Sequence, residues 1–265
     1  MRNQPLVVTG RIRLKDFDPG YCAGLDKAAT KERTVEMGHR IDELQQLLYA
    51  NANHSILLLF QGMDASGKDG SARSVLHYVN PAGVEVANFK VPSDEERAHD
   101  FLWRIHKAVP RYGNIGVFNR SHYEAVLAER ILKIVPRKVW RDRYAQIVDF
   151  ELMLVANRVV LLKFCLHISR DEQAERFRER LANPEKNWKF SHADLATRQH
   201  WDDYVEAYED MLNATSHGAA RWHLVPADRN WYRDYVIANT VVKAMKDLHL
   251  KWPKSREDLS KIKVK

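Results

Sequence analysis

The chain has 265 residues, 42 of them Lys or Arg and 35 Asp or Glu, giving a formal net charge of +7, and 45% of it is apolar. The apolar share excludes a disordered chain, no apolar run approaches the roughly 20 residues of a membrane-spanning helix, and two cysteines exclude a disulfide scaffold. The basic excess suits an anionic partner, or simply a well-solvated surface.

Residues 1–29 carry Pro5, Gly10, Pro19, Gly20 and Gly24 and read as an irregular arm. Met1-Arg2-Asn3-Gln4-Pro5 leads into no hydrophobic segment of signal length, so a cytoplasmic protein without membrane contact is expected. Thr30–Asn51 reads as a helix with Val35, Ile41, Leu44 and Leu48 near one face. Arm and helix form an N-terminal unit, 1–53, ahead of a core expected over 54–250.

His54–Gln61 holds the run Ile56-Leu57-Leu58-Leu59-Phe60, which suits a parallel strand buried on both faces. Gly62-Met63-Asp64-Ala65-Ser66-Gly67-Lys68-Asp69-Gly70 follows, and then a potential helix, Ser71–Tyr78. Strand, glycine loop and helix are the setting a phosphate loop requires, and Gly62, Gly67 and Lys68 meet the spacing G-x-x-x-x-G-K. Glycines let successive N–H groups turn inward, and the helix offers its positive end. Asp69 stands where a Ser or Thr would normally hold Mg²⁺. With Asp64 it places two carboxylates beside an anion site, an arrangement that makes sense when Mg²⁺ lies between carboxylate and phosphate.

After a turn at Asn80-Pro81-Ala82-Gly83, Val84–Phe89 reads as a second strand, with Lys90 at its end. Ser93 is placed to cap a helix whose first turn holds Asp94, Glu95 and Glu96. Ala98, Phe101, Leu102 and Ile105 give that helix an apolar face, and Pro110–Gly113 breaks it. Asn114–Asn119 is a third strand that runs into Arg120-Ser121-His122-Tyr123-Glu124. Polar groups at the C-terminal end of a core strand are where open α/β sheets bind ligands. Arg120 is read as facing phosphates, with a structural Arg–Asp pair as the alternative; His122 receives no role.

Helical segments are expected over Tyr123–Ile134 and Trp140–Asn157, the latter with Tyr144, Ile147, Val148 and Val155 inward. Arg158–Ile168 is a fourth strand, and Ser169 caps the next helix. Arg176, Arg178, Arg180, Lys186 and Lys189 then crowd fourteen residues with Trp188 and Phe190. They form either a solvated helix face or a lid, about 176–197, whose cations cover phosphates. Leu195–Thr215 is a charged helix, Trp222–Val225 a fifth strand, Trp231–Leu248 the last long helix, and 251–265 a lysine-rich tail expected to fray from Pro253. Strands alternating with helices predict a three-layer α/β/α fold around a five-stranded parallel sheet with a helical lid.

Several separate stretches together resemble a family-2 polyphosphate kinase, from about Arg11 to about Lys246. They are the loop Gly62–Gly70, Phe89-Lys90-Val91-Pro92, His99-Asp100-Phe101-Leu102-Trp103-Arg104, Phe118-Asn119-Arg120-Ser121-His122-Tyr123-Glu124, Trp188-Lys189-Phe190 and Pro226-Ala227-Asp228-Arg229. The resemblance implies a P-loop kinase fold like that of thymidylate kinase. It implies transfer of a terminal phosphoryl group between inorganic polyphosphate and a nucleotide (AMP, ADP or ATP), with Mg²⁺ or Mn²⁺. Asp64 would hold metal, Lys68 would contact phosphate and Arg120 would face the reacting groups. Ala65, Ser66, Gly67, Asp69 and Gly70, with Lys90, Asn119 and Glu124, would bind phosphate or nucleotide. Arg176 and Arg180 would take lid roles on polyphosphate, joined by Lys186 and Lys189.

The stretch Asn119–Glu124 is similar to the class III subgroup. Other members read Phe-Asp-Arg-Ser-Trp-Tyr-Asn there; Asn119, His122 and Glu124 are the differences, and members like this variant phosphorylate both AMP and ADP. Ala125 departs from the acidic residue often found next. A homo-dimer or homo-tetramer is expected, and nucleic acid is not. The alternative reading is an ATP-dependent nucleoside monophosphate kinase of the thymidylate-kinase type.

Overall fold

Eight consecutive residues, from Ser55 to Gly62, are buried without a break, and the rest of the molecule is assembled around them. In a computed structural model, which describes residues 6–255, 257–259 and 262, they form the central strand of a six-stranded sheet. The strands in chain order are β1 (Leu6–Val7), β2 (Ser55–Gly62), β3 (Val84–Asn88), β4 (Ile115–Asn119), β5 (Val159–His167) and β6 (Trp222–Pro226). Across the sheet the order is β1-β6-β5-β2-β4-β3. β2 to β6 are mutually parallel, as expected.

The sixth strand corrects the reading of residues 1–29 as irregular. β1 pairs antiparallel with β6, and Val8, Ile12, Leu14 and Phe17 behind it are buried. The arm is fixed by side chains far away in sequence. Asn213 exchanges two hydrogen bonds with the main chain of Ile12 (2.8 and 3.0 Å), and Glu209 accepts from Leu14 N at 2.7 Å. No local pattern announces such a partner.

The helices are α1 (Lys27–Asn51), α2 (Lys68–Leu76), α3 (Asp94–Arg97), α4 (Trp103–Lys107), α5 (Ala128–Ile131), α6 (Arg137–Ala156), α7 (Arg170–Ala182), α8 (His192–Gln199), α9 (Trp201–Thr215) and α10 (Asn230–Lys246). Asp26 accepts from Ala29 N, so α1 starts ahead of Thr30. Ile41, Leu44 and Leu48 face the core, but Val35 is exposed. The helix expected after Ser93 is two short ones. Ser93 does form a reciprocal cap with Glu96, yet Asp100 accepts from Leu102 N and starts a second helix there. The segment 123–134 is likewise a 3₁₀ turn at His122–Ala125 followed by α5. Along α6, Ile147 is buried with Trp140, Phe150, Glu151 and Leu154, whereas Tyr144, Val148 and Val155 lie only at the margin of that face. Six of the fifteen residues of the tail, 251–265, lie outside the described residues. Among the described residues no helix is long and apolar enough to cross a membrane.

Register places the site. Phe60 of β2 lies beside Asn119 of β4, which lies beside Asn88 of β3. The loops after these three strands therefore leave the sheet side by side, at the carboxyl ends where parallel sheets hold ligands.

Candidate active site

The loop between β2 and α2 is a set of main-chain carbonyls held from behind. Lys68 Nζ donates to Gly62 O (2.6 Å) and Met63 O (3.2 Å). Gln173 Nε2 of α7 donates to Asp64 O at 2.9 Å, Arg176 Nη1 to Ala65 O at 2.8 Å, and Arg233 Nη1 of α10 to Ser66 O at 3.2 Å. Five successive carbonyls are thereby taken, and of the loop N–H groups Ser66 N turns back onto Met63 O at 3.1 Å. The first turn of α2 adds its own N–H groups, which have no intrahelical acceptor. This is an anion cradle. Gly67 is required in it: its φ is +100°, and a Cβ there would lie 1.8 Å from Arg233 Nη1.

Charged side chains ring the cradle. Arg120 has a left-handed backbone (φ 62°) and brings Nη2 to 3.4 Å from Asp64 Oδ1. Asn119 donates to Asp69, tying β4 to α2. Burial lowers the Lys68 pKa, with Arg120 adding to the effect and Asp64, Glu124 and Asp69 opposing it. Burial raises that of Glu124, against the pull of Arg120 and Lys68. Gln61, with its amide oxygen accepting from Ser121 N and Oγ, donates to Glu124 Oε1 at 3.3 Å.

Two cavities meet here. The first, about 800 Å³, has Asp64, Ala65, Gly67, Lys68, Asp69 and Gly70 on its floor. Lys90, Asn119, Arg120, Arg180 and Lys189 form its walls. The second, about 480 Å³, shares Phe89, Lys90 and Arg120 with the first and continues past Val91, Phe101, His122 and Glu124. Four of the expected residues are not on the first cavity's wall. Ser66 is buried under the loop, its hydroxyl without a hydrogen-bond partner among the described residues. Glu124 opens on the second cavity. Arg176 lies beneath the loop, bonded to Ala65 O, Ala227 O, Asp228 O and Glu172. Lys186 is exposed in the 3₁₀ turn Pro184–Lys189.

Asn88, Trp188, Gln173 and Arg233 belong to the site as well, although sequence reading gave them no role there. Trp188 stands out as an aromatic among cations and in the stretch Trp188-Lys189-Phe190, without a role; a buried arginine in the last helix carries no local signal at all. Among the described residues no three His, Cys, Asp or Glu side chains cluster as a metal cage. Mg²⁺ needs only one or two carboxylates, with phosphate oxygens and water completing its shell. Asp64 at the loop and Glu124, close enough to feel its charge, fit that requirement.

Comparison with known proteins gives one answer. Residues 24–253 match the family model for polyphosphate kinase 2. An AMP/ADP-polyphosphate phosphotransferase of Meiothermus ruber is 46% identical over 257 residues, covering 96% of each chain. An ADP-polyphosphate phosphotransferase of Rhodopseudomonas palustris is 46% identical over 228 residues, 82% of this chain and 79% of the relative. The crystal structure of polyphosphate kinase 2 from Arthrobacter aurescens superposes with a TM-score of 0.91 at 38% identity, over 98% of this chain and 97% of that one.

Proposed function

The chain belongs to the polyphosphate kinase 2 family, and from that premise we propose that it moves the terminal phosphoryl group of inorganic polyphosphate onto AMP and ADP. The observation that carries the reading is the meeting of two unlike cavities at Arg120. One is open and ringed by Lys68, Lys90, Arg180 and Lys189, as a chain with a charge on every unit requires. The other is bordered by Phe89, Val91 and Phe101, as a nucleobase requires.

The attacking atom is a terminal phosphate oxygen of the nucleotide, already ionised at neutral pH, so no strong general base is needed. It bonds to the last phosphorus of the polyphosphate as the bond from that phosphorus to its bridging oxygen breaks. The polyphosphate leaves one unit shorter, carrying the electron pair as an anion. Lys68 and the loop N–H groups hold the phosphates, and Arg120, between the cavities, spreads the charge of the group in flight. Arg180, Lys189 and, further out, Lys186 receive the polyphosphate chain, while Arg176 acts from beneath by holding the loop. Bound at Asp64, Mg²⁺ or Mn²⁺ supplies positive charge that offsets repulsion between the two anionic substrates.

The test is product analysis after mixing AMP, polyphosphate and Mg²⁺. ADP and then ATP are expected; no nucleotide product, or product only when ATP replaces polyphosphate as donor, overturns the reading. We extend the proposal to a cytoplasmic homo-dimer or homo-tetramer. Two free cysteines, Cys22 and Cys165, support the compartment, and light scattering decides the assembly.

A further inference from the structure

Behind the site lies a buried ion pair that the phosphoryl transfer never touches. Lys163 of β5 and Glu151 of α6 are 0% and 1% exposed, and Lys163 Nζ donates to Glu151 Oε2 at 2.6 Å. The other two Lys163 donors go to Tyr123 Oη (3.0 Å) and Thr215 O (2.7 Å), so the ammonium is saturated. Tyr123 Oη lies 2.7 Å from Glu151 Oε1 and 3.1 Å from Thr215 Oγ1. Its single proton belongs on the nearer, charged acceptor. The Thr215 hydroxyl meanwhile donates to Met211 O and accepts from Trp222 Nε1. His122 Nε2 is 3.1 Å from the same carboxylate oxygen and must carry the ring proton, since a carboxylate only accepts.

A buried ion pair is a poor stability device, because apolar residues of the same volume usually do as well. This pair has a second attribute. Its carboxylate accepts from His122 and Tyr123, the consecutive residues that follow Arg120 and Ser121. Arg120 sits in a left-handed conformation that a non-glycine residue keeps only when its surroundings impose it. From the other side, Gln61 holds Ser121. Burial works against the Glu151 charge, but Lys163 and His122 together overrule it and keep the carboxyl below its ordinary range.

We infer that Glu151, paired with Lys163, is a positioning residue: by accepting from Tyr123 Oη and His122 Nε2 it fixes the turn that aims Arg120 at Asp64. The inference rests on the reading of Arg120 as the group that stabilises the transferring phosphoryl. The decisive variant is the double substitution Glu151→Met, Lys163→Met, which removes both charges while keeping volume. Its melting temperature falls, because Tyr123 Oη, His122 Nε2 and Thr215 O each lose a buried partner, and kcat read well below the melting transition falls by about ten- to a hundredfold, the scale of a misplaced catalytic group. KM for polyphosphate stays within about twofold, because an interaction made chiefly in the transition state is what is lost. A double variant with wild-type kcat overturns the inference.

Should the double variant not fold, Tyr123→Phe decides alone. It keeps the ion pair and the ring but removes one anchor and one acceptor of Lys163, and a severalfold lower kcat with a modest fall in melting temperature is expected; wild-type kcat there overturns the inference too. The Arg120 side-chain ¹⁵N resonance reads the same placement without turnover. It should shift in the variants, and an unchanged resonance counts against positioning whatever the activity. A wild-type protein with no polyphosphate-driven turnover counts against the functional reading only.

Discussion

At Gly67 one hydrogen atom decides whether the loop exists. Any other side chain meets both a φ of +100° and the Arg233 guanidinium. Gly67→Ala is expected to cost at least about 1–3 kcal/mol, the range for a strained backbone, and to lower phosphate affinity as Arg233 is displaced. Thermal melting and polyphosphate titration check this together. Lys68 and Asp64 are the opposite case, being half-buried and set toward the cavity. Lys68→Ala and Asp64→Asn should each lower turnover by about 10²- to 10³-fold, as loss of one preorganised electrostatic group does. Melting should be nearly unchanged in Asp64→Asn and lower in Lys68→Ala, which removes the bonds to Gly62 O and Met63 O, and near-normal kcat in either purified variant defeats the assignment. The spacing of Gly62, Gly67 and Lys68 made this cradle legible because the requirement is local: a turn, a close approach and a charge within nine residues. Arg233, which makes Gly67 obligatory, was not legible, because its role depends on where α10 packs.

Among the elements, α7 separates two jobs that its sequence presents as one. Arg176 and Arg180 are one turn apart and read as a pair facing the lid. In the folded chain Arg176 bonds three main-chain carbonyls under the phosphate loop and at the β6–α10 turn, while Arg180 lines the cavity. Arg176→Ala is therefore expected to destabilise, by about 1–3 kcal/mol for each buried carbonyl left stranded, and to lose activity with it. Arg180→Ala should raise KM for polyphosphate while the melting curve stays put. Equal melting of the two variants would remove the distinction. The caps of Ser93 and Ser169 were readable beforehand, because an N-cap acts within three residues. The break at Asp100 is not legible in the pattern, because Ala98, Phe101, Leu102 and Ile105 carry an apolar face through it; the Asp100 bond to Leu102 N competes with the helix at that point.

For the molecule as a whole, burial of histidines links stability to pH. His167 packs against the N-terminal arm, its Nε2 3.3 Å from Phe17 O, and burial holds its pKa below the ordinary 6.5. The folded protein keeps the ring neutral where the unfolded chain takes up a proton. This contribution is intact above a pH of about 6.5 and is lost as pH falls toward the lowered folded value. Glu124 and Asp234, raised by burial, work in the other direction, so the measurable quantity is a difference. His167→Gln keeps a donor for Phe17 O, and its Tm should fall less than that of the wild type between about pH 7.5 and 5.5. An equal fall in both proteins removes His167 as a pH-sensitive site.

By itself the sequence determined the alternation of strands and helices, the five parallel strands, the phosphate loop and the family, because each is written in short-range pattern: apolar runs, glycine spacing, caps. Only the tertiary structure decided that residues 6–17 close one edge of the sheet, that Arg176 and Arg233 grip the loop from behind, and that Glu151 and Lys163 meet beneath Arg120. Those contacts join residues from 12 to more than 200 positions apart. Their partners are chosen by how helices pack on the sheet, and a periodicity read along the chain does not contain that choice.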